Sequence, residues 1–360
     1  MRFPEFSGEW NKYTINDLAT VVGGGTPDTT VKSYWGGDIQ WFTPSEIGKN
    51  KYVDFSKRTI TRDGLDNSSA KLLPLHTILL SSRATVGECS IASNECTTNQ
   101  GFQSLIAKQC NIDFLYYLIQ TKKKDLIRNA CGSTFLEISA NEIRKIKVAV
   151  PVQNEQEQIA KLLSLIDERI ATQNKIIEKL QSLIKGLAAQ LTQSGTPNIR
   201  LCDCLECHSS TLLENCVSVT GSYPVYGATG LIGYTNNYAY NGESILIVKD
   251  GSGVGSLSYV NDHFSVIGTL NYLTAKENYS ILYLYYALMA FNFTPYITGM
   301  AIPHIYFKDY GKAKLFYPSI EKRIRIASLL HNIEQKLVVE QNLVISLSAQ
   351  KSYLLRMLFI

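Results

Sequence analysis

Apolar residues recur every seven positions along two stretches of the chain. In the first, Ile159, Ile166, Gln173, Leu180 and Leu187 form one row, and Leu163, Ile170, Ile177, Ile184 and Leu191 form the other. In the second, Ile326, Ile333, Glu340, Leu347 and Leu354 run beside Leu330, Leu337, Val344, Lys351 and Leu358. Five heptads of a two-row pattern predict two long coiled-coil helices, because an ordinary amphipathic surface helix does not hold that period so long. At 1.5 Å per residue each extends about 60 Å. Each begins just past a proline, Pro151 or Pro318. Both helices carry a polar residue at the same central slot, Gln173 and Glu340. If the halves are related by a two-fold axis, the helices run antiparallel and these residues form a register pair. Such a buried polar pair costs stability but fixes alignment.

The segments before the helices read differently. Alternating and continuous apolar runs at 75–82, 146–150 and 244–248 predict strands, and 112–127 and 279–291 predict helices. Gly23-Gly-Gly-Thr-Pro27 reads as a loop. The two halves also repeat. Gly132-Ser-Thr-Phe-Leu-Glu-Ile138 aligns with Gly299-Met-Ala-Ile-Pro-His-Ile305, Pro151 with Pro318, and Phe114-Leu-Tyr-Tyr117 with Tyr283-Leu-Tyr-Tyr286. Each half is a variable body followed by a better-matched tail, which suggests one job done twice on different targets. The predicted architecture is α+β: two mixed α/β bodies at 1–150 and 194–318, separated by two long antiparallel helices at 151–193 and 319–360, with a pseudo-two-fold internal repeat.

Composition narrows the classes. Over 360 residues, 45% are apolar and 10% aromatic, which excludes a disordered chain. No apolar run is long enough to span a membrane. The opening residues lack an apolar signal core, so a cytoplasmic protein with eight reduced cysteines is expected. The net charge of +4 is only mildly basic, and the 21 tyrosines suit polar interfaces.

Catalytic signatures are missing. Gly251-Ser-Gly-Val-Gly255 follows a strand but precedes an alternating run and lacks the phosphate-binding lysine, so it reads as a turn. The Asn/Asp-Pro-Pro-Tyr string of adenine methyltransferases and the His-Glu-x-x-His metal motif do not occur. Cys202-Asp-Cys-Leu-Glu-Cys207-His208 contains a haem-attachment pattern, but that chemistry requires export. Zinc would want a second ligand pair, which is not visible. Buried thiols at the start of a domain are the simpler reading, and no metal ligand set is assigned.

Basic residues cluster in the first body at Lys49, Lys51, Lys57, Arg58, Arg62 and Lys71, with Arg83 after a strand and Lys249 read as its counterpart. Alone, such residues more often form a solvated face. Present in both copies, they point to nucleic acid: Lys and Arg neutralise phosphates, while Arg, Gln, Asn, Ser and Thr read base edges.

The first body contains Tyr34-Trp-Gly-Gly-Asp-Ile-Gln-Trp-Phe-Thr-Pro-Ser-Glu46, Ser82-Arg-Ala-Thr-Val-Gly87 and Thr98-Asn-Gln-Gly-Phe102. The second contains Tyr223-Pro-Val-Tyr-Gly-Ala-Thr-Gly230 and Ile302-Pro-His-Ile-Tyr-Phe-Lys308. In these strings, and in the order body, helix, body, helix, the chain resembles the specificity subunit of type I restriction-modification systems. The resemblance implies that each body is a target-recognition domain reading half of a split double-stranded DNA sequence. It implies that the helices set the spacer and dock two methyltransferase subunits. Those partners would carry S-adenosylmethionine, and restriction subunits would add ATP- and Mg-dependent translocation and cleavage. The chain itself would be non-catalytic, need no cofactor and contact no membrane. Because the bodies differ strongly, an asymmetric bipartite target is expected. Candidate DNA contacts are Lys49, Lys51, Arg58, Arg83, Gln100, Gln103, Ser133 and Thr134 in the first body. In the second they are Tyr226, Lys249, Ser252, Asn271, Thr298 and His304. The alternatives are a coiled-coil interaction protein without DNA readout, and an enzyme with unrecognised motifs.

Overall fold

The computed structural model describes residues 2–132 and 135–359. The chain divides into two compact units, 1–174 with 342–360 and 175–341. The long helices span Gln153–Thr192 and Ile320–Leu358, and each contributes one half to each unit.

The first unit is built on a five-stranded sheet in the order Ala19–Gly23, Gln103–Ala107, Ile78–Leu80, Cys89–Ala92, Tyr52–Val53. Its pairs are antiparallel except the last, where Tyr52 lies opposite Ile91 in parallel. A second sheet pairs Trp35–Phe42 with Arg58–Ile60 and Cys96–Thr98. The entry strand Asn11–Thr14 pairs antiparallel with the exit strand Lys147–Val150, so the body begins and ends beside the start of the first long helix. The helical stretch read at 112–127 is two helices, Ile112–Thr121 and Lys123–Arg128. They separate at Lys122, whose φ and ψ of −90° and 5° leave the helical region. Asn111 caps the first of them by accepting the Phe114 N–H.

The core of this unit joins sheet, helix and arms. Ile78, Leu80, Ile91, Leu105, Phe114 and Tyr117 pack with Ile159, Ala160 and Leu163 of the first long helix and Leu358 of the second. Further along, Asp167 pairs with Lys351. Residue numbers rise on one helix as they fall on the other, so the two run antiparallel here.

The second unit repeats the plan with different strands. Its six-stranded sheet has the order Leu205–Ser209, Leu270–Ala275, Tyr240–Val248, Leu257–Val266, Tyr223–Gly227, Gly230–Thr235. Ile199–Arg200 pairs with Lys314–Leu315 as entry and exit strands. The helix Ile281–Met289, capped by Ser280, packs Tyr283, Leu284 and Tyr286 against Ile245, Ile247 and Leu273. Ile184 and Ala188 from the first long helix share this core with Ile326, Ala327 and Leu330 from the second. Every residue of the predicted heptad rows is buried or half-buried, the polar Gln173, Glu340 and Lys351 included.

Candidate nucleic-acid interface

In the first unit four loops converge at one end of the sheet. The strand Ile78–Leu80 runs on into Ser81 and Ser82, whose backbone pairs with Phe102 and Gly101. Gly24 and Gly25 donate their N–H groups to Phe102 O and Thr98 O. The fit is so close that a Cβ on Gly24 would sit 1.9 Å from the Asn99 carbonyl oxygen, and one on Gly25 2.3 Å from the Ala70 nitrogen. Only glycine lets those backbones meet. Thr26 then donates its hydroxyl to Gln100. The fourth loop closes on itself: Cys131 and Glu137 exchange both backbone hydrogen bonds at 2.9 Å, and Ala84 donates to Leu136 O. Gly132 turns this loop with a φ of 126°.

The second unit has the same construction. Thr298 and His304 exchange backbone hydrogen bonds at 2.9 and 2.8 Å, Gly251 donates to Pro303 O, and Gly299 turns the loop with a φ of 90°. Lys249 and Asp250 both donate their N–H groups to Thr269 O, much as Ser82 donates to Gly101 O. The repeated glycine seen in the sequence therefore marks one left-handed turn used twice. The Gly251-Ser-Gly-Val-Gly255 segment joins the paired strands Tyr240–Val248 and Leu257–Val266, as a hairpin turn should.

This geometry revises the counterpart of Arg83. Arg83 bridges to Glu137, and the matching bridge joins Asp250 to His304. Ile138 N–H reaches Ser82 O just as Ile305 N–H reaches Lys249 O. Lys249 thus takes the place of Ser82, and Asp250 that of Arg83. An alignment by charge put the lysine one residue out. Each cation nonetheless has a carboxylate partner. Arg83 Nε lies 3.7 Å from a Glu137 carboxylate oxygen with both side chains about half exposed, and Lys249 pairs with Asp250. The half-exposed Arg83 pair contributes little stability, so a phosphate can take over that cation at small cost.

The remaining candidates divide into two groups. Arg58 is exposed and stacks 3.6 Å over the Trp35 ring, next to Trp41, whose indole donates to Gly25 O. Gln100, Ser252 and Thr298 are exposed on the loops. His304 is half-buried, with Nδ1 3.2 Å from Ile302 O. Gln103 lies half-buried under Gly23, its Oε1 without a hydrogen-bond partner among the described residues. Tyr226 packs edge-on against Phe264 at the margin of a small apolar core. Lys49 is exposed but lines a separate cleft with Glu88, Lys123 and Lys351. Ser133 and Thr134 lie outside the described residues.

Two candidates are corrected. Lys51 turns inward: its side chain is 8% exposed, pairs with Asp113 at 2.7 Å and donates to Ser164 at 2.6 Å. Its ammonium also lies 5.0 Å over the Tyr117 ring, so it joins body to arm and does not reach out to phosphate. Asn271 is 6% exposed on an interior strand and accepts from the Ser209 hydroxyl, which takes it out of reach of a base edge. Gln173 is buried with an unpartnered Oε1 among the described residues, and Glu340 is half-buried.

Several side chains at the loop face were not singled out from sequence. Thr26, Asn99, Trp35 and Glu137 owe their place to the loop junctions described above. In the second unit a cleft of about 460 Å³ is lined by Ser210, Ser218, Thr220, Thr235, Asn236 and Asn237, a neutral donor and acceptor set. Its rim is tied to the Lys249 loop, since Gly268 donates to Leu212 O and Thr269 accepts from Lys249. The Asn236-Asn237 turn signal was the available hint. The Cys202–His208 segment gathers no metal site: Cys204 is buried, Cys202 and Cys207 are half-buried, and no group of three ligands occurs among the described residues. All eight cysteines are free. No helix among the described residues is long and apolar enough to cross a membrane.

Comparison with known proteins agrees with this geometry. The family model for the type I restriction modification DNA specificity domain matches residues 7–182 and 199–347. The MjaIX specificity subunit of Methanocaldococcus jannaschii is 39% identical over 183 residues, which is 48% of this chain and 42% of that one. The EcoprrI specificity subunit of Escherichia coli is 25% identical over 361 residues, 91% of this chain and 87% of that one. The chain thus spans less than half the length of the archaeal relative and most of the bacterial one. The crystal structure of a type I restriction-modification S subunit from M. genitalium shares the fold, with a TM-score of 0.67 at 19% identity over 100% of this chain and 99% of that one. With two matched domains, each carrying the same convergent loops, the chain belongs to the type I restriction-modification DNA specificity family.

Proposed function

We propose that this chain is the DNA sequence-specificity subunit of a type I restriction-modification complex. Each unit reads one half of an asymmetric bipartite target through its loop end. The observation that carries the reading is the loop construction itself, repeated in both units with different side chains: Arg83 against Asp250, Glu137 against His304, and Arg58 on Trp35 against the neutral Asn236 cleft. A shared frame with unlike readers fits two unlike half-sites. Arginine on the first face suits guanine edges or phosphate, and amides on the second suit adenine.

The long helices set the distance between half-sites and dock two methyltransferase subunits. Those subunits supply S-adenosylmethionine chemistry, and restriction subunits supply ATP- and Mg-dependent translocation. The chain contributes readout and no catalytic group, and works in the cytoplasm, where its thiols stay reduced.

The test is methylation mapping of the host genome, followed by exchange of the second body for that of a relative. The expected result is a split methylated motif of which only one half changes on exchange. An unchanged motif would leave a coiled-coil interaction protein as the better reading. Methyl transfer by the purified chain alone would make it an enzyme.

A further inference from the structure

The Leu-Tyr-Tyr string repeated in both halves has no place in the loop faces, yet four of its tyrosines are buried. In the first unit the Tyr117 hydroxyl donates at 2.6 Å to Asp167 Oδ2 on the first long helix and lies 3.5 Å from Ser164 Oγ. Asp167 Oδ1 meets Lys351 Nζ at 2.7 Å on the second long helix, and that ammonium sits 5.4 Å over the Tyr117 ring. In the second unit Tyr286 donates at 2.7 Å to Glu334 Oε2, and Tyr285 donates at 2.9 Å to Glu334 Oε1. Asp167 and Glu334 occupy the same position of the two helices, each one residue past Ile166 and Ile333. Burial raises the pKa of Tyr117 and Tyr286, so both remain protonated donors, and the nearby carboxylates reinforce this. Both tyrosines are fully buried.

Each tyrosine sits on the helix that packs directly under its reading sheet: Ile112–Thr121 under Ile78 and Leu80, and Ile281–Met289 under Ile245 and Ile247. Apolar attraction is non-directional, so a packed core leaves small differences in helix angle weakly specified. A short hydrogen bond to a charged acceptor is directional and selects one angle.

We propose that these tyrosine–carboxylate joints, Tyr117 with Asp167 and Tyr285–Tyr286 with Glu334, are positioning residues. They fix the rotation of each reading face about its helical arm, and so make spacer length part of the target specificity. One base pair of extra spacer turns a half-site by roughly 35° about the duplex axis, so a reader held at a fixed angle rejects it. A reader that can roll accepts it. This rests on the DNA-reading function proposed above.

The experiment uses the full chain assembled with its methyltransferase subunits and the mapped target. Tyr117→Phe and the double variant Tyr285→Phe with Tyr286→Phe keep the buried rings and remove only the hydroxyls. Binding is compared between the native spacer and spacers one base pair longer or shorter. Loss of a hydrogen bond to a charged group is expected to cut selectivity for the native spacer by roughly tenfold or more, with base preference in each half-site unchanged. Base preference and spacer selectivity both at wild-type level would overturn the joint while leaving the reading function intact. Failure of the wild-type complex to prefer any sequence would instead overturn the reading function. If the double variant does not assemble, Glu334→Gln replaces it. That amide keeps one phenol acceptor, so selectivity should fall part of the way, and no fall overturns the proposal.

Discussion

Lys51 offers the sharpest check, because sequence and structure give it opposite roles. Lys51→Met keeps the aliphatic stem and removes the ammonium. The ammonium pairs with Asp113 at 2.7 Å and with Ser164 at 2.6 Å, in a side chain that is 8% exposed. Removing one partner of a fully buried pair costs about 3–5 kcal/mol. Asp113 is 35% exposed and recovers part of its hydration, so about 2 kcal/mol is expected here. That corresponds to about a 30-fold change in a local opening equilibrium. The assay is native hydrogen exchange of the amides in Ile112–Thr121, the helix that carries Asp113 and Tyr117. Protection should fall by about that factor, while the slope of DNA affinity against salt stays as in wild type. Unchanged protection with a salt slope smaller by about one unit would mean that Lys51 meets a phosphate, and the inward assignment would be wrong.

Other consequences can be checked separately. Arg83→Ala should weaken binding at one half-site by about 1–3 kcal/mol, with a melting temperature close to wild type because its partner Glu137 is half exposed. Asp250→Ala releases Lys249, so non-specific DNA binding should rise and its salt dependence steepen; an unchanged salt slope would place Lys249 away from DNA. Gly24→Ala forces a Cβ to within 1.9 Å of the Asn99 oxygen and should destabilise the loop by about 3 kcal/mol or more and abolish reading at that half-site. Burial pushes the thiols of Cys89, Cys96, Cys110 and Cys204 up from 9.0 to about 12. Their stabilising contribution is complete below pH 9 and is lost as pH rises towards 12, so the melting temperature should drop between pH 9 and 11. At pH 8 a thiol reagent should label the exposed Cys131 and Cys216 well before these four.

The long helices were legible because their cause is local and periodic. A row repeating every seven residues can bury itself only as a helix against a partner, and Gln173 through Lys351 stayed in that row despite their polarity. The Gly132 and Gly299 turns were visible as repeated strings for a similar reason: a left-handed backbone position tolerates few residues. The strand order of the bodies was not visible, since pairs such as Ala19–Gly23 with Gln103–Ala107 join residues far apart in the chain. Nor was the split at Lys122, which is a matter of backbone geometry and not of composition.

By itself, the sequence determined the class of the protein: two bodies, two arms, a repeat, and a family resemblance that the comparisons bear out. Tertiary structure decided which charges face outward. A lysine reads the same in any string, but Lys51 has Asp113, Ser164 and an aromatic ring around its ammonium, and burial there is affordable only because those partners replace water. Arg83 and Lys249 looked equivalent until backbone pairing set them one residue apart. The Leu-Tyr-Tyr repeat was plain in sequence, but its meaning depended on Asp167 and Glu334, carboxylates some fifty positions away that only folding brings within hydrogen-bond distance. Periodicity encodes what a residue does relative to its own element, whereas the partner that satisfies a buried polar group is chosen by packing.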